Sequence, residues 1–336
     1  MKLKILGPCI VFLSFLRLFI MPAVYGQETE KKNDPFVFFI PISYDLLLLE
    51  EQTVHSPAGG VGFLVGKQDL PFNRIERRFT GLAAYQPFIF TEEFPEVPKM
   101  LHQIGGMFDA RVKRHQILAI FQANSDIPVF GGINTFQFGA GYGYEIIRRP
   151  KVSLILGAVL GVRDFGITLP SGDPWLLMPL PLIRFGVDTR WFTASFDFIT
   201  GPVFNFTIAP KERIRFTGDM RMETYRSIAD LNGEFTLWYR LFKPDYKLGD
   251  FAGIGVGFKN DVTGFDLSAG IQAKTFELQR SSVFATIDLS ILKIQGGWVI
   301  NSNYLLDGKK TGSPGNGFFL SVQGMIPVYQ KQGGLQ

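Results

Sequence analysis

Apolar and polar residues alternate singly over long stretches of this chain, and few folds tolerate that pattern. Thr263, Phe265, Leu267, Ala269, Ile271 and Ala273 share one parity, while Val262, Gly264, Asp266, Ser268, Gly270, Gln272 and Lys274 take the other. A two-residue period places successive side chains on opposite faces of an extended strand. The same pattern recurs at Phe192-Phe198, Phe235-Leu241, Ile254-Phe258 and Phe318-Val328, and less cleanly along Phe36-Tyr44, Leu82-Phe90, Ile104-Val112, Asn134-Ile146, Val152-Arg163, Ser281-Ile291 and Ile294-Ile300. About 14 antiparallel strands are expected, within a range of about 12 to 16, with no helix after the first 26 residues. Tight reversals are expected at Asp188-Arg190, Thr200-Pro202 and Asn260-Asp261. Longer loops are expected at Glu50-Gly60, Lys67-Thr80, Thr91-His102, Gly166-Trp175, Asp219-Asn232 and Asn303-Asn316.

The first 26 residues read as an export signal. Lys2 and Lys4 are followed by an apolar run, Ile5-Ile20, broken only by Arg17, and Val24-Tyr25-Gly26 offers small residues before a cleavage at Gln27. This divides the chain into a signal (1–26), a short tail (27–35), a strand-rich domain (36–329) and a C-terminal tail (330–336). The formal charge of +4 includes Lys2, Lys4 and Arg17, so the remainder carries +4 − 3 = +1 and no affinity for nucleic acid is implied. Cys9 is the single cysteine, which leaves the exported chain without disulfides or thiolate chemistry. After position 26 no apolar window reaches the roughly 18 residues a membrane-spanning helix requires.

Alternation fits a soluble sandwich with an apolar core as well as a membrane barrel with an apolar exterior. Three features favour the barrel. Segments of about ten residues, tilted near 40°, cover the roughly 25 Å apolar band of a bilayer. Phe90, Phe198, Trp238, Phe258 and Trp298 sit as interfacial girdles would. Glycines cluster on polar faces, at Gly139, Gly141 and Gly143 and at Gly253, Gly255 and Gly257. On these residues the chain resembles the outer-membrane β-barrel proteins of diderm bacteria, in particular the porin-like and fatty-acid-transporter-like families. The resemblance implies an all-β transmembrane, antiparallel, up-and-down barrel reached through periplasmic chaperones and the barrel-assembly machinery, and surrounded by outer-membrane lipids. Unlike many such barrels, the last strand is followed by Gln330-Gln336 instead of ending on an aromatic residue.

Motifs for chemistry are sparse. His55, His102 and His115 lack any metal-ligand spacing, and Gly139-x-Gly-x-Gly and Gly253-x-Gly-x-Gly lack the helix of a nucleotide site, so neither a metal nor a cofactor is expected. His55-Ser56 could be imagined as a base and nucleophile, yet nothing nearby orients the imidazole. Charges on the polar faces are the better candidates for function. Arg184, Asp197, Arg213, Arg215, Glu234, Arg240, Lys259, Asp266, Lys274 and Asp288 are expected to project into a lumen. The competing reading is that they pair across strands to hold the wall. Pro179 and Pro181 suggest a strand that starts late or bulges, and Leu46-Leu49 suggests a plug or periplasmic element. The function expected is a passive, non-enzymatic pore for small solutes or hydrophobic molecules. A surface protein acting through its loops and a secreted all-β binding module remain alternatives.

Overall fold

A computed structural model describes residues 36–331, apart from 67–76, 94–96, 128–134, 163–176, 199–201, 223–230, 242–251, 268–274 and 290. The described chain is all strand: β1 (Phe36–Leu49), β2 (Thr53–Val65), β3 (Arg77–Phe90), β4 (Met100–Val112), β5 (His115–Ser125), β6 (Thr135–Arg149), β7 (Val152–Val162), β8 (Leu177–Asp188) and β9 (Phe192–Phe198). It continues with β10 (Pro202–Ile208), β11 (Ile214–Met222), β12 (Leu231–Arg240), β13 (Ala252–Asp266), β14 (Thr275–Leu289), β15 (Leu292–Leu306), β16 (Lys309–Gly312) and β17 (Gly317–Lys331). Each strand from β1 to β15 pairs antiparallel with the next, β15 pairs with β17 as well, and β17 closes on β1 from Phe36↔Lys331 to Leu49↔Gly317. The short β16 only extends β15, so the wall is a closed up-and-down barrel of 16 strands, at the top of the expected range. Closure removes every sheet edge along the β1–β17 seam.

Contacts between strands that are not neighbours show which face is inside. The rings of Phe88 on β3 and Phe265 on β13 meet at 4.6 Å between centroids, and Arg184 on β8 reaches Asp109 on β4 at 2.9 Å. Only a path across the interior joins such residues. The opposite face carries the exposed apolar residues. On β6 these are Phe136, Phe138, Tyr142, Tyr144 and Ile146, a run that rises about 25 Å at the usual strand tilt. Glycines and aromatics are cross-strand partners on both faces. A side chain at Gly106 would strike the Phe121 ring outside, and one at Gly257 would strike Phe284 inside.

Strand ends joined by 66–76, 113–114, 150–151, 189–191, 209–213 and 241–251 share a rim with both ends of the barrel, four of these connections in a row being short, and strand ends joined by 50–52, 91–99, 126–134, 163–176, 199–201 and 307–316 share the other. These are called the turn rim and the loop rim below.

Several local expectations are corrected. Asn260-Asp261 is no turn but the middle of β13, paired with Ser281 and Arg280 of β14. Glu50-Gly60 is mostly strand, because β2 begins at Thr53 and absorbs Pro57 and Gly59-Gly60. Leu46-Leu49 is the end of β1, with Leu47 and Leu49 buried inside and Leu48 exposed outside. β8 neither starts late nor bulges: its ladder with β7 runs unbroken through Leu160↔Pro179 and Ala158↔Pro181. That continuity requires the proline nitrogens to face the other edge, where pairing with β9 begins only at Ile183↔Phe198. The missing N–H groups therefore fall on a stretch of strand that has no ladder partner among the described residues. Of the expected girdle aromatics, Phe90 and Trp238 are buried in the interior, and Phe258 and Trp298 lie outside near mid-strand.

Candidate functional site: the barrel lumen

The lumen is the only concave surface these strands enclose among the described residues, and alternation decides what it contains. On β4, Gln103, Met107, Asp109 and Arg111 point inward between the outward Ile104 and Phe108. Asp109 is 4% exposed and becomes the hub of a network. Arg184 meets its Oδ2 at 2.9 Å, Arg78 at 3.6 Å and Arg111 meets Oδ1 at 3.7 Å, while the Gln116 amide donates to both oxygens at 3.0 and 2.9 Å. Arg184 also pairs with Asp197 of β9 at 2.7 Å. A second network joins Asp261 to Lys259 at 3.2 Å and to Arg280 at 2.6 Å. Its neighbour Asp45 comes from β1 and lies beside Ser321. A third pair, Lys293–Glu234, spans β15 and β12 at 3.6 Å. Paired charges facing water cost far less than charges facing lipid, so polar networks belong on this face.

Toward the loop rim the lumen turns apolar. Leu47, Val54, Phe88, Phe90, Phe265, Phe276, Leu278 and Tyr304 form one packed cluster there, while Met107, Leu118, Val159 and Leu182 form another nearer mid-barrel, beside the first ion network. Between the larger cluster and the Asp261 network lies a cavity of about 100 Å³, lined by Leu47, Phe88 and Phe265 on one side and by Asp45, Lys259 and Arg280 on the other. A conduit built this way has a charged waist and an oily constriction that excludes water when closed.

The sequence-derived candidates distribute unevenly over this geometry. Arg184 and Asp197 share the first network, Lys259 sits in the second and Glu234 in the third. Asp288 stands opposite Lys293 in the ladder, and Arg215 lies over the Trp238 ring at 5.5 Å. Arg240 is buried and donates to the Pro210 carbonyl. Arg213 is a correction: it precedes β11 in the turn, exposed, over the outward Tyr239 ring at 5.6 Å. The Asp266 side chain and Lys274 lie outside what is described. Sequence reasoning missed Asp109, Arg111, Asp45 and Lys293, although each has apolar neighbours on the outward parity, and it missed Asp261 and Arg280, whose neighbours Asn260, Gln279 and Ser281 are polar.

The histidines have other occupations. His55 and His102 accept or donate a hydrogen bond with Tyr44 and Tyr85 at 2.7 and 2.6 Å, and His115 with Tyr142 at 2.6 Å. Each pair sits on the outward parity of the wall. Ser56 points inward, where the Gln86 amide donates to it at 2.7 Å, so His55 and Ser56 are on opposite faces and cannot act together. The Gly139 and Gly253 runs lie within β6 and β13, with no helix following them. No group of three or more metal-ligating side chains occurs among the described residues.

A closed antiparallel wall with an apolar exterior and ion pairs inside defines an outer-membrane-type β-barrel, as the resemblance implied. No protein-family model and no curated protein matches the chain. Among solved structures it is similar to OccAB1 of Acinetobacter baumannii, at 10% identity over 91% of this chain and 100% of that one, with a TM-score of 0.34. It is similar as well to OpdQ of Pseudomonas aeruginosa, at 13% identity over 89% and 100% with a TM-score of 0.34. The translocator domain of the autotransporter NalP from Neisseria meningitidis gives 10% identity over 95% and 96%, with a TM-score of 0.31. No residue role is carried over from any of them.

Proposed function

We propose that the chain is exported to the outer membrane of a diderm bacterium and there forms a passive, non-enzymatic conduit for small solutes or hydrophobic molecules. The observation that supports this reading is the split of the wall into an apolar outside and a charged inside. Val283, Ile287 and Leu289 on β14 are exposed, whereas the alternate residues Ser282, Phe284 and Thr286 are buried within. Lipid solvates the first set and a hydrated lumen the second. The apolar cluster at the loop rim favours solutes with hydrocarbon character over bare ions, because such solutes wet a constriction that water leaves.

Planar-bilayer recording on the refolded, heat-modifiable protein tests the reading. Discrete conductance steps are expected, made infrequent by the packed apolar cluster on the loop side of the lumen. A correctly folded barrel that never conducts would shift the function to a surface or structural role.

A further inference from the structure

Among the described residues one arc of the turn rim is strongly cationic, and it sits where a membrane surface would be. Four consecutive connections at the turn rim expose cations: Lys113 and Arg114 between β4 and β5, Arg149 and Lys151 around Pro150, Arg190 between β8 and β9, and Lys211 and Arg213 between β10 and β11. Against these seven stands one exposed carboxylate, Glu212. None of the seven makes an ion pair with a carboxylate among the described residues. At the loop rim the described residues lean the other way, with Glu50, Glu51, Glu92, Glu93 and Asp126 exposed against Lys99, Lys309 and Lys310, of which Lys99 is tied to Glu93 at 3.2 Å.

The cations border the apolar belt directly. Ile208 and Ile214 flank the turn that holds Lys211 and are 47% and 59% exposed. Arg190 lies over Trp191, which is 58% exposed, at 5.1 Å, and Arg213 lies over Tyr239. An arginine over an aromatic ring at the end of an apolar face is the arrangement of an interfacial anchor, with its stem along hydrocarbon and its charge at headgroup level. Anionic headgroups attract such residues, by about fivefold in partitioning for each cation near the surface.

We propose that the turn rim from β4 to β11 is a collar that binds the phosphate groups of anionic phospholipids in the leaflet it contacts. The proposal rests on the membrane reading above and adds a lipid class and an orientation to it. A solvated rim without selectivity is the outcome it must beat.

The full chain is reconstituted into vesicles of equal parts phosphatidylcholine and phosphatidylglycerol, floated, re-extracted in mild detergent, and its retained lipid analysed. Phosphatidylglycerol is expected to be enriched severalfold over the bulk mixture. The variant R149Q/K151Q/R190Q/K211Q should lose that enrichment, while the loop-rim variant K309Q/K310Q keeps it. Inorganic phosphate and chloride at equal ionic strength should strip the lipid equally. Bulk composition in the retained lipid, or unchanged enrichment in the turn-rim variant, overturns the collar. Far stronger displacement by phosphate than by chloride also overturns it, in favour of a site for the free ion. Failure of the protein to float with vesicles of any composition contradicts the membrane reading instead, so the two failures are told apart.

Discussion

Replacing Phe88 and Phe265 together by alanine is expected to raise the unit conductance at least about twofold and to lengthen the open time. These two rings meet across the lumen at 4.6 Å, edge to face, between strands that are far apart in the wall. An apolar constriction excludes water until it is widened or made polar, so removing both rings should let a continuous water column form. In a solid core, Phe→Ala costs about 3 to 5 kcal/mol, and here the loss should fall at or below the low end because water can enter the space. Migration on a cold-detergent gel confirms that the variant remains folded. Unchanged conductance would mean that the narrowest point is elsewhere, with the Asp109 network the next candidate.

Asp109→Asn should have the largest effect on stability. One carboxylate, nearly buried, faces Arg78, Arg111 and Arg184, and among the described residues only Arg184 of the three forms a second ion pair, with Asp197. Removing one member of a buried ionic network leaves the remaining charges poorly compensated, a loss of about 3 kcal/mol or more. Equilibrium unfolding in urea from vesicles reads this as a lower midpoint with little change in slope. The same variant makes the waist more cationic, so the reversal potential in a salt gradient should move toward anion preference. Asp197→Asn, at the half-exposed end of the network, should cost clearly less. Equal losses in the two variants would contradict the hub assigned to Asp109.

Much of the fold was legible because each strand keeps its side-chain parity against its neighbours, and the bilayer and the lumen impose opposite chemistry on the two faces. What misled the reading was a change of phase within a continuous strand. On β13, Ile254, Val256 and Phe258 are apolar and outward, then Phe265, of the other parity, is apolar and inward. The phase reverses at Asn260-Asp261, and a reversal of phase next to two turn-forming residues looks like a hairpin. The physical cause lies in the surroundings. Beyond this level the outward residues of β14 and β15 become Gln279, Ser281, Asn301 and Asn303, as water replaces lipid, while the interior fills with Phe265, Phe276 and Leu278. On β1 the interior likewise turns apolar at Leu47 and Leu49, but the outer face stays apolar from Ile42 to Leu48, so both parities carry leucine.

The candidate charges were legible as a class and illegible as partners. Alternation could place Arg184 and Asp197 inside, but Asp109 lies 75 residues before Arg184, and only closure of the barrel brings β4 and β8 together. Prolines 179 and 181 were read as a defect because a single sequence does not show that β9 ends at Phe198, short of the level at which they need a partner.

The native tryptophans offer the most direct test of an outward apolar face and an inward polar one. The chain has four, and two of them, Trp298 and Trp238, lie on opposite sides of the wall at 42% and 6% exposure. Single-tryptophan variants, with the others changed to phenylalanine, are reconstituted in vesicles whose acyl chains carry bromine. Strong quenching of Trp298 with Trp238 left bright is the predicted result. Quenching of Trp238, or a Trp298 shielded from the brominated chains, would contradict the account.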